Sequence, residues 1–168
     1  MEIENEIHQL VDEYFTDSDY KVVDIILRGE KGTKVLEIFV DNKEGINIDD
    51  LTKFNKELNE LIDEKIILND LSKIVVSSPG AERPIKFFWQ LCKHAGRDLE
   101  IELNNEEKIE GKLITVSDAG DEIIFVEITH REKGKKVVTE MKEMTFKEIK
   151  ELKIKISFSK NKKIKEVK

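Results

Sequence analysis

The pattern of hydrophobic and polar residues predicts a small α/β unit in the first half of the chain. Hydrophobic residues recur at helical spacing from Ile3 to Tyr14, and a second helical stripe follows Asn47, which is suited to cap its start. Residues 29–32 predict a hairpin turn. Runs rich in β-branched residues predict three strands, Tyr20–Arg28, Thr33–Asp41 and Ser72–Ser77. The predicted order is α-β-β-α-β, with two helices on a three-stranded sheet.

A segment without periodicity, residues 77–84, separates this unit from the rest and contains both prolines of the chain. A helix is predicted to follow, with Pro84 at its first position and Gly96 just past its end. Its predicted apolar face consists of Ile85, Phe88, Trp89 and Cys92.

The second half predicts a small β-barrel, because short strands recur at regular spacing. A capping box at Thr145–Glu148 predicts one helical turn before the last strand. The five predicted strands are Asp98–Leu103, Lys108–Ser117, Glu122–Thr129, Lys135–Met141 and Lys153–Phe158. This order is typical of an SH3-like or Sm-like barrel. The predicted fold class is therefore α+β with two domains.

The predicted domain boundaries follow from these elements. Residues 1–83 form the N-terminal α/β domain, and residues 84–158 form a linker helix and the barrel. Residues 159–168 contain five lysines and predict a disordered tail.

Composition excludes several classes of protein. No apolar run reaches the roughly 18–20 residues needed to cross a bilayer, and the acidic N-terminus is unlike a signal peptide, so a cytoplasmic protein without a membrane partner is expected. The single cysteine and three dispersed histidines predict no disulfide and no metal site. The sequence has no phosphate-binding glycine loop and no dinucleotide fingerprint, so no cofactor is expected. We expect a monomer.

Charge is divided unevenly along the 168 residues, which carry a net charge of −7. Residues 1–88 contain 20 acidic and 11 basic residues, a net of −9, whereas residues 89–168 contain 16 acidic and 18 basic residues, a net of +2. The acidic total argues against a DNA-binding protein. The split predicts two domains with different partners.

The sequence does not indicate an enzyme. Ser77 and Ser78 lie in a predicted turn, but no Gly-x-Ser-x-Gly elbow surrounds them, and His94 is predicted at the far end of the next helix. Cys92 is predicted to be a buried structural thiol. No catalytic residue is assigned.

The segment Ser77–Pro84 is the main candidate for a binding site, and two interpretations stay open. Its backbone N–H groups, two hydroxyls and the Arg83 guanidinium suit a phosphate or a carboxylate. Alternatively, Pro79 and Gly80 shape a rigid connector in which Arg83 pairs with a carboxylate between the domains.

Residues 76–85 resemble the signature segment of the bacterial ribosome maturation factor RimP. The order Ser-Ser-Pro-Gly followed by Arg-Pro carries the resemblance, although Ala81, Glu82 and Ile85 stand where leucine, aspartate and leucine are usual. Asn55-Lys56 stands where the family tends to have Ser-Arg. Gly96-Arg97 and residues 110–113 resemble the opening hairpin of the family's barrel domain.

The resemblance implies a non-catalytic factor that binds immature small ribosomal subunits and assists their late assembly. It implies contact with ribosomal RNA and docking of the barrel on a small-subunit ribosomal protein. The alternatives are a general RNA-binding module with an Sm-like barrel and an enzyme that uses the Ser77-Ser78 turn. The residues predicted to bind the particle or to orient the domains are Ser77, Ser78, Pro79, Gly80, Arg83, Arg97 and Lys112.

Overall fold

A computed structural model describes residues 2–29, 34–65 and 71–156. The predicted tail, most of the predicted turn at 29–32 and the end of the predicted last strand lie outside the described residues. No described helix is both long and apolar enough to cross a membrane.

The N-terminal half has the predicted α-β-β-α-β order. Its elements are α1 (Glu2–Phe15), β1 (Lys21–Arg28), β2 (Lys34–Asp41), α2 (Ile48–Lys65) and β3 (Leu71–Ser77). The sheet order is β1-β2-β3. Strands β1 and β2 are antiparallel, whereas β2 and β3 are parallel, because α2 returns the chain to the opposite end of the sheet.

The start of α2 confirms the predicted cap. The Asn47 side-chain oxygen accepts a hydrogen bond of 2.8 Å from the backbone N–H of Asp50, which satisfies one donor of the first turn. Leu58 and Ile62 follow on the buried face of this helix. They pack with residues of α1 and with alternate residues of the strands in one hydrophobic core.

Strand β2 is buried on both faces. Leu36, Ile38 and Val40 belong to the core under the helices, as the two-residue period of a strand requires. Phe39 and Asp41 point the other way, yet they are only 8% and 3% exposed. Something other than the helices therefore covers the second face.

The C-terminal half contains a five-stranded antiparallel sheet of order β7-β6-β5-β4-β8. Its strands are β4 (Asp98–Leu103), β5 (Lys108–Ser117), β6 (Ile123–His130), β7 (Val138–Thr145) and β8 (Ile149–Ile154). A 3-10 helix, Phe88–His94, precedes the sheet, and a 3-10 turn, Phe146–Glu148, joins β7 to β8. A second hydrophobic core lies within this half.

The predicted linker helix is wrong in its start and in its type. The Ile85 N–H donates to the Leu152 carbonyl at 2.7 Å, so this part of the linker pairs with β8 and is extended. A 3-10 helix starts at Phe88 instead. With three residues per turn, it buries Phe88 and Leu91 and leaves Cys92 exposed, so the prediction of a buried thiol is also wrong.

Two predicted strands are displaced along the chain. Strand β7 starts at Val138 and not at Lys135, and β8 covers Ile149–Ile154 and not Lys153–Phe158. The side chains of Leu152 and Ile154 are buried, which fixes the last strand at this position. The capping box at Thr145 is confirmed, because the Thr145 N–H donates to Glu148 at 2.8 Å.

Candidate functional site at the domain junction

The linker between the domains lies against both of them. Ala81 and Ile85 pack against the core of the C-terminal sheet. Between them in sequence, Arg83 points to the N-terminal sheet, with its guanidinium carbon 3.6 Å from the centre of the Phe39 ring. The linker therefore joins the two domains through packing as well as through the backbone.

Arg83 also makes an ion pair with the same sheet. Its Nη1 lies 3.5 Å from an oxygen of Asp24, which is the register partner of Phe39 on the neighbouring strand. Lys86 reaches the other oxygen of that carboxylate, also at 3.5 Å. A planar guanidinium can stack and pair in this way, whereas a lysine ammonium cannot reproduce both contacts.

A second ion pair joins the end of β2 to the 3-10 helix. The Lys93 ammonium contacts Asp41, whose side chain is only 5% exposed and also accepts the Asn42 N–H at 2.9 Å. Lys93 is itself 18% exposed. This pair is therefore well shielded from solvent, and salt screens such a pair much less than an exposed one.

A third contact lies at the edge of the junction. The Lys21 ammonium is 5.8 Å from the centre of the Trp89 ring, and Phe87 stacks on that ring at 6.1 Å between centres. The burial of Phe39 and Asp41 is explained by the first two contacts, Arg83 on the Phe39 ring and Lys93 on Asp41. The acidic half of the chain supplies Asp24 and Asp41, and the linker and C-terminal half supply most of the cations.

An open cleft of about 340 Å³ lies beside the linker. Asp41, Lys93 and His94 line this cleft. Five of the predicted site residues line it as well: Ser78, Pro79, Gly80, Arg83 and Arg97. Gly80 adopts a φ of +70°, which a side chain rarely adopts, so glycine suits this turn.

Two predicted site residues lie outside this cleft. Ser77 is the last residue of β3 and is half-buried. Lys112 lies on β5, exposed, between Asp98 and Glu127 on the neighbouring strands. The structure thus brings five of the seven predicted residues together and leaves Lys112 on the surface of the C-terminal sheet.

The cleft lowers the pKa of His94 to about 4. Desolvation by burial is the largest cause, and the positive charges of Lys93 and Arg97 add to it, while Asp41 acts in the opposite direction. The Nδ1 atom of His94 is buried and has no hydrogen-bond partner among the described residues. We infer that His94 is neutral at the junction near pH 7.

Because this pKa lies below the ordinary value of about 6.5, the unfolded chain binds a proton on His94 before the folded protein does. The His94 contribution to the free energy of unfolding is therefore retained above pH 6.5 and falls between pH 6.5 and 4. We expect His94→Gln to reduce the loss of stability between pH 7 and pH 5, measured by urea unfolding at each pH. His130→Gln, which changes an exposed histidine, is the control. Equal losses in the wild type and in His94→Gln would contradict this assignment.

The sequence missed the partners of Arg83 and the Asp41–Lys93 pair. The available signal was β2 itself, where Ile38, Phe39 and Val40 are consecutive apolar residues, so that each face of the strand carries an apolar side chain. Such a run indicates a strand covered on both sides. It does not indicate which segment covers the second side.

Comparison with known families agrees with the resemblance found in the sequence. Residues 10–82 match the family model of the RimP N-terminal domain. The N-terminal domain of this chain belongs to the RimP family. The matched stretch covers the three-stranded sheet, all of α2, the C-terminal part of α1, and the turn up to Glu82, one residue before Arg83. RimP proteins are non-enzymatic ribosome maturation factors associated with the small ribosomal subunit.

Proposed function

We propose that this protein binds immature small ribosomal subunits in the cytoplasm and assists their late assembly without catalysis. The match of residues 10–82 to the RimP N-terminal domain is the observation that carries the proposal. We further propose that the five-stranded sheet is an SH3-like barrel, and that it docks on a small-subunit ribosomal protein.

The junction supports a mechanism based on geometry. Arg83 and Lys93 each bind a carboxylate of the N-terminal sheet, so the two domains present their surfaces at a defined angle. A monomeric two-domain factor of this kind binds best to the particle conformation that fits both surfaces. It thereby stabilises that conformation relative to others, and no covalent step is required.

The charge of each half suggests its partner. Residues 1–88 carry a net of −9, so they repel RNA over most of their surface and suit basic ribosomal proteins. Residues 89–168 carry a net of +2 and can approach RNA with less repulsion.

We assign two roles to the predicted site residues. Arg83 orients the domains, and the Ser77–Gly80 turn holds the linker at the end of β3. Arg97 and Lys112, both exposed, are assigned to contact with the particle.

Removal of the gene tests this function. Cells without the protein are expected to accumulate free subunits and unprocessed small-subunit RNA, most strongly under growth stress. Gradient profiles and RNA end mapping measure both effects. Normal profiles together with normal RNA ends would overturn the assembly role, and labelling of Ser77 or Ser78 by a serine-directed reagent would favour an enzyme.

Arg83→Ala is expected to restore such cells only partly. The variant loses both the stacking on Phe39 and the pair with Asp24, so the domain angle is less restricted. Gradient profiles of complemented cells measure the effect. Arg28→Ala is a matched control, because Arg28 pairs with Glu37 at the surface and its side chain is 61% exposed. Full restoration by Arg83→Ala, or its unfolding by circular dichroism, would contradict an orienting role.

A further inference from the structure

The loop between β6 and β7 has a concentrated positive charge. These strands pair as far as His130 and Val138, and residues 131–137 join them. The loop contains one acidic residue, Glu132, and four basic residues: Arg131, Lys133, Lys135 and Lys136. Its net charge is therefore +3, whereas the net charge of the whole chain is −7. All residues of this loop are exposed.

The displaced start of β7 creates this cluster. The sequence assigned Lys135 and Lys136 to a strand, where successive side chains would point to opposite faces. In the structure both precede the strand and share a loop with Arg131 and Lys133. The four cations therefore lie around one turn.

The loop has its own internal geometry. The Lys135 N–H donates to the Glu132 carbonyl at 3.1 Å, which closes a β-turn, and Gly134 within it has a φ of +84°. No residue of the loop belongs to the second hydrophobic core. The turn thus presents its side chains to solvent and not to the rest of the domain.

Most of these cations are free to bind an external anion. Lys135 pairs with Glu132 at an exposed position. No salt bridge among the described residues involves Arg131, Lys133 or Lys136. By contrast, Arg83 and Lys93 at the junction are already bound to carboxylates.

We propose that the loop 131–137 binds the phosphate backbone of RNA. Arginine and lysine side chains bind phosphates through charge-assisted hydrogen bonds, and release of counterions favours this contact whatever the base sequence. The loop has no aromatic side chain on which a base could stack, so contact with the backbone is favoured over reading of bases. The proposal deepens the proposed function and rests on it for the RNA-rich partner.

An RNA duplex of about 16 base pairs, the length spanned by a double-stranded RNA-binding domain, is the probe for this loop. Its affinity is measured from 0.05 to 0.3 M salt for the wild type and for R131A/K133A/K136A. The triple variant K53A/K73A/K147A is the control, because it removes the same charge from exposed lysines elsewhere. A polyglutamate peptide, which offers carboxylates instead of phosphates, is tested in parallel. The wild type and both variants are also co-sedimented with immature small subunits.

We expect the loop variant to bind the duplex roughly tenfold more weakly or worse at 0.1 M salt, and its salt slope to fall by about two to three. The control is expected to resemble the wild type. Duplex affinity and salt slope unchanged in the loop variant would overturn the proposal, and so would loss of polyglutamate binding alone. Failure of the wild type to co-sediment with immature subunits would instead overturn the proposed function, whatever the loop variant does.

Discussion

Gly111→Ala is expected to destabilise the C-terminal domain by about 3 kcal/mol, the upper end of what overpacking costs. Gly111 lies in β5 opposite Leu99 of β4. A Cβ atom at this position would lie 2.5 Å from a methyl carbon of Val126 and 2.7 Å from the Glu127 carbonyl oxygen. The methyl belongs to a fully buried side chain and the oxygen to the backbone, so neither atom can move away without a large energetic cost.

Urea unfolding of the two variants Gly111→Ala and Gly120→Ala separates crowding from backbone strain. Gly120 has a φ of +115°, but nothing lies within 4 Å of its added Cβ. Its replacement therefore reports the conformational cost alone, about 1 kcal/mol. If Gly111→Ala lowered the free energy of unfolding no more than Gly120→Ala, the close packing of β5 on β6 would be contradicted.

Lys93→Ala is expected to lower the free energy of unfolding by about 3 kcal/mol, because it leaves a buried carboxylate without its cation. Asp41 is 3% exposed, and its remaining hydrogen bond comes from the Asn42 N–H. The substitution also removes the Lys93–Asp41 ion pair that links the two domains. Small-angle scattering is therefore expected to show a broader distribution of interdomain distances for the variant than for the wild type.

A double-mutant cycle identifies the source of this loss. Asp41→Ala and Lys93→Ala combined are expected to cost clearly less than the sum of the two single changes, with a coupling of about 1.5 kcal/mol or more. Lys150→Ala is the control, because Lys150 pairs with Glu102 at the surface, where such pairs contribute less than about 1 kcal/mol. Additive effects of Asp41→Ala and Lys93→Ala would show that the pair does not hold the junction.

Elements with strong local signals were predicted from the sequence. Helix α2 has an N-cap at Asn47 and one apolar stripe, and strands β4 and β5 have the predicted bounds. In these segments the secondary structure that the residues prefer locally is also the one that buries their apolar side chains, so the hydrophobic period alone locates the element.

Elements that depend on distant partners were not predicted correctly. The linker is extended at Ile85 because it pairs with Leu152, about 70 residues away, and proline followed by an apolar stripe resembled a helix start. In strand β7 the apolar residues Val138 and Met141 are exposed, so the hydrophobic pattern did not indicate where this strand begins.

The candidate site was predicted in part for the same reason. Residues 77–83 were recognised by their unusual turn chemistry and by resemblance. Asp24, Phe39 and Asp41 become part of the junction only when the sheet places them on its second face. A single sequence does not contain that juxtaposition.

Co-sedimentation with purified small subunits tests the central claim most directly. The wild-type protein is expected to bind immature subunits about tenfold more tightly than mature ones, within the range in which a conformational preference changes affinity. Equal affinity for the two particles would contradict the account. Affinity for unstructured RNA as high as for immature subunits would also contradict it, in favour of a general RNA-binding protein.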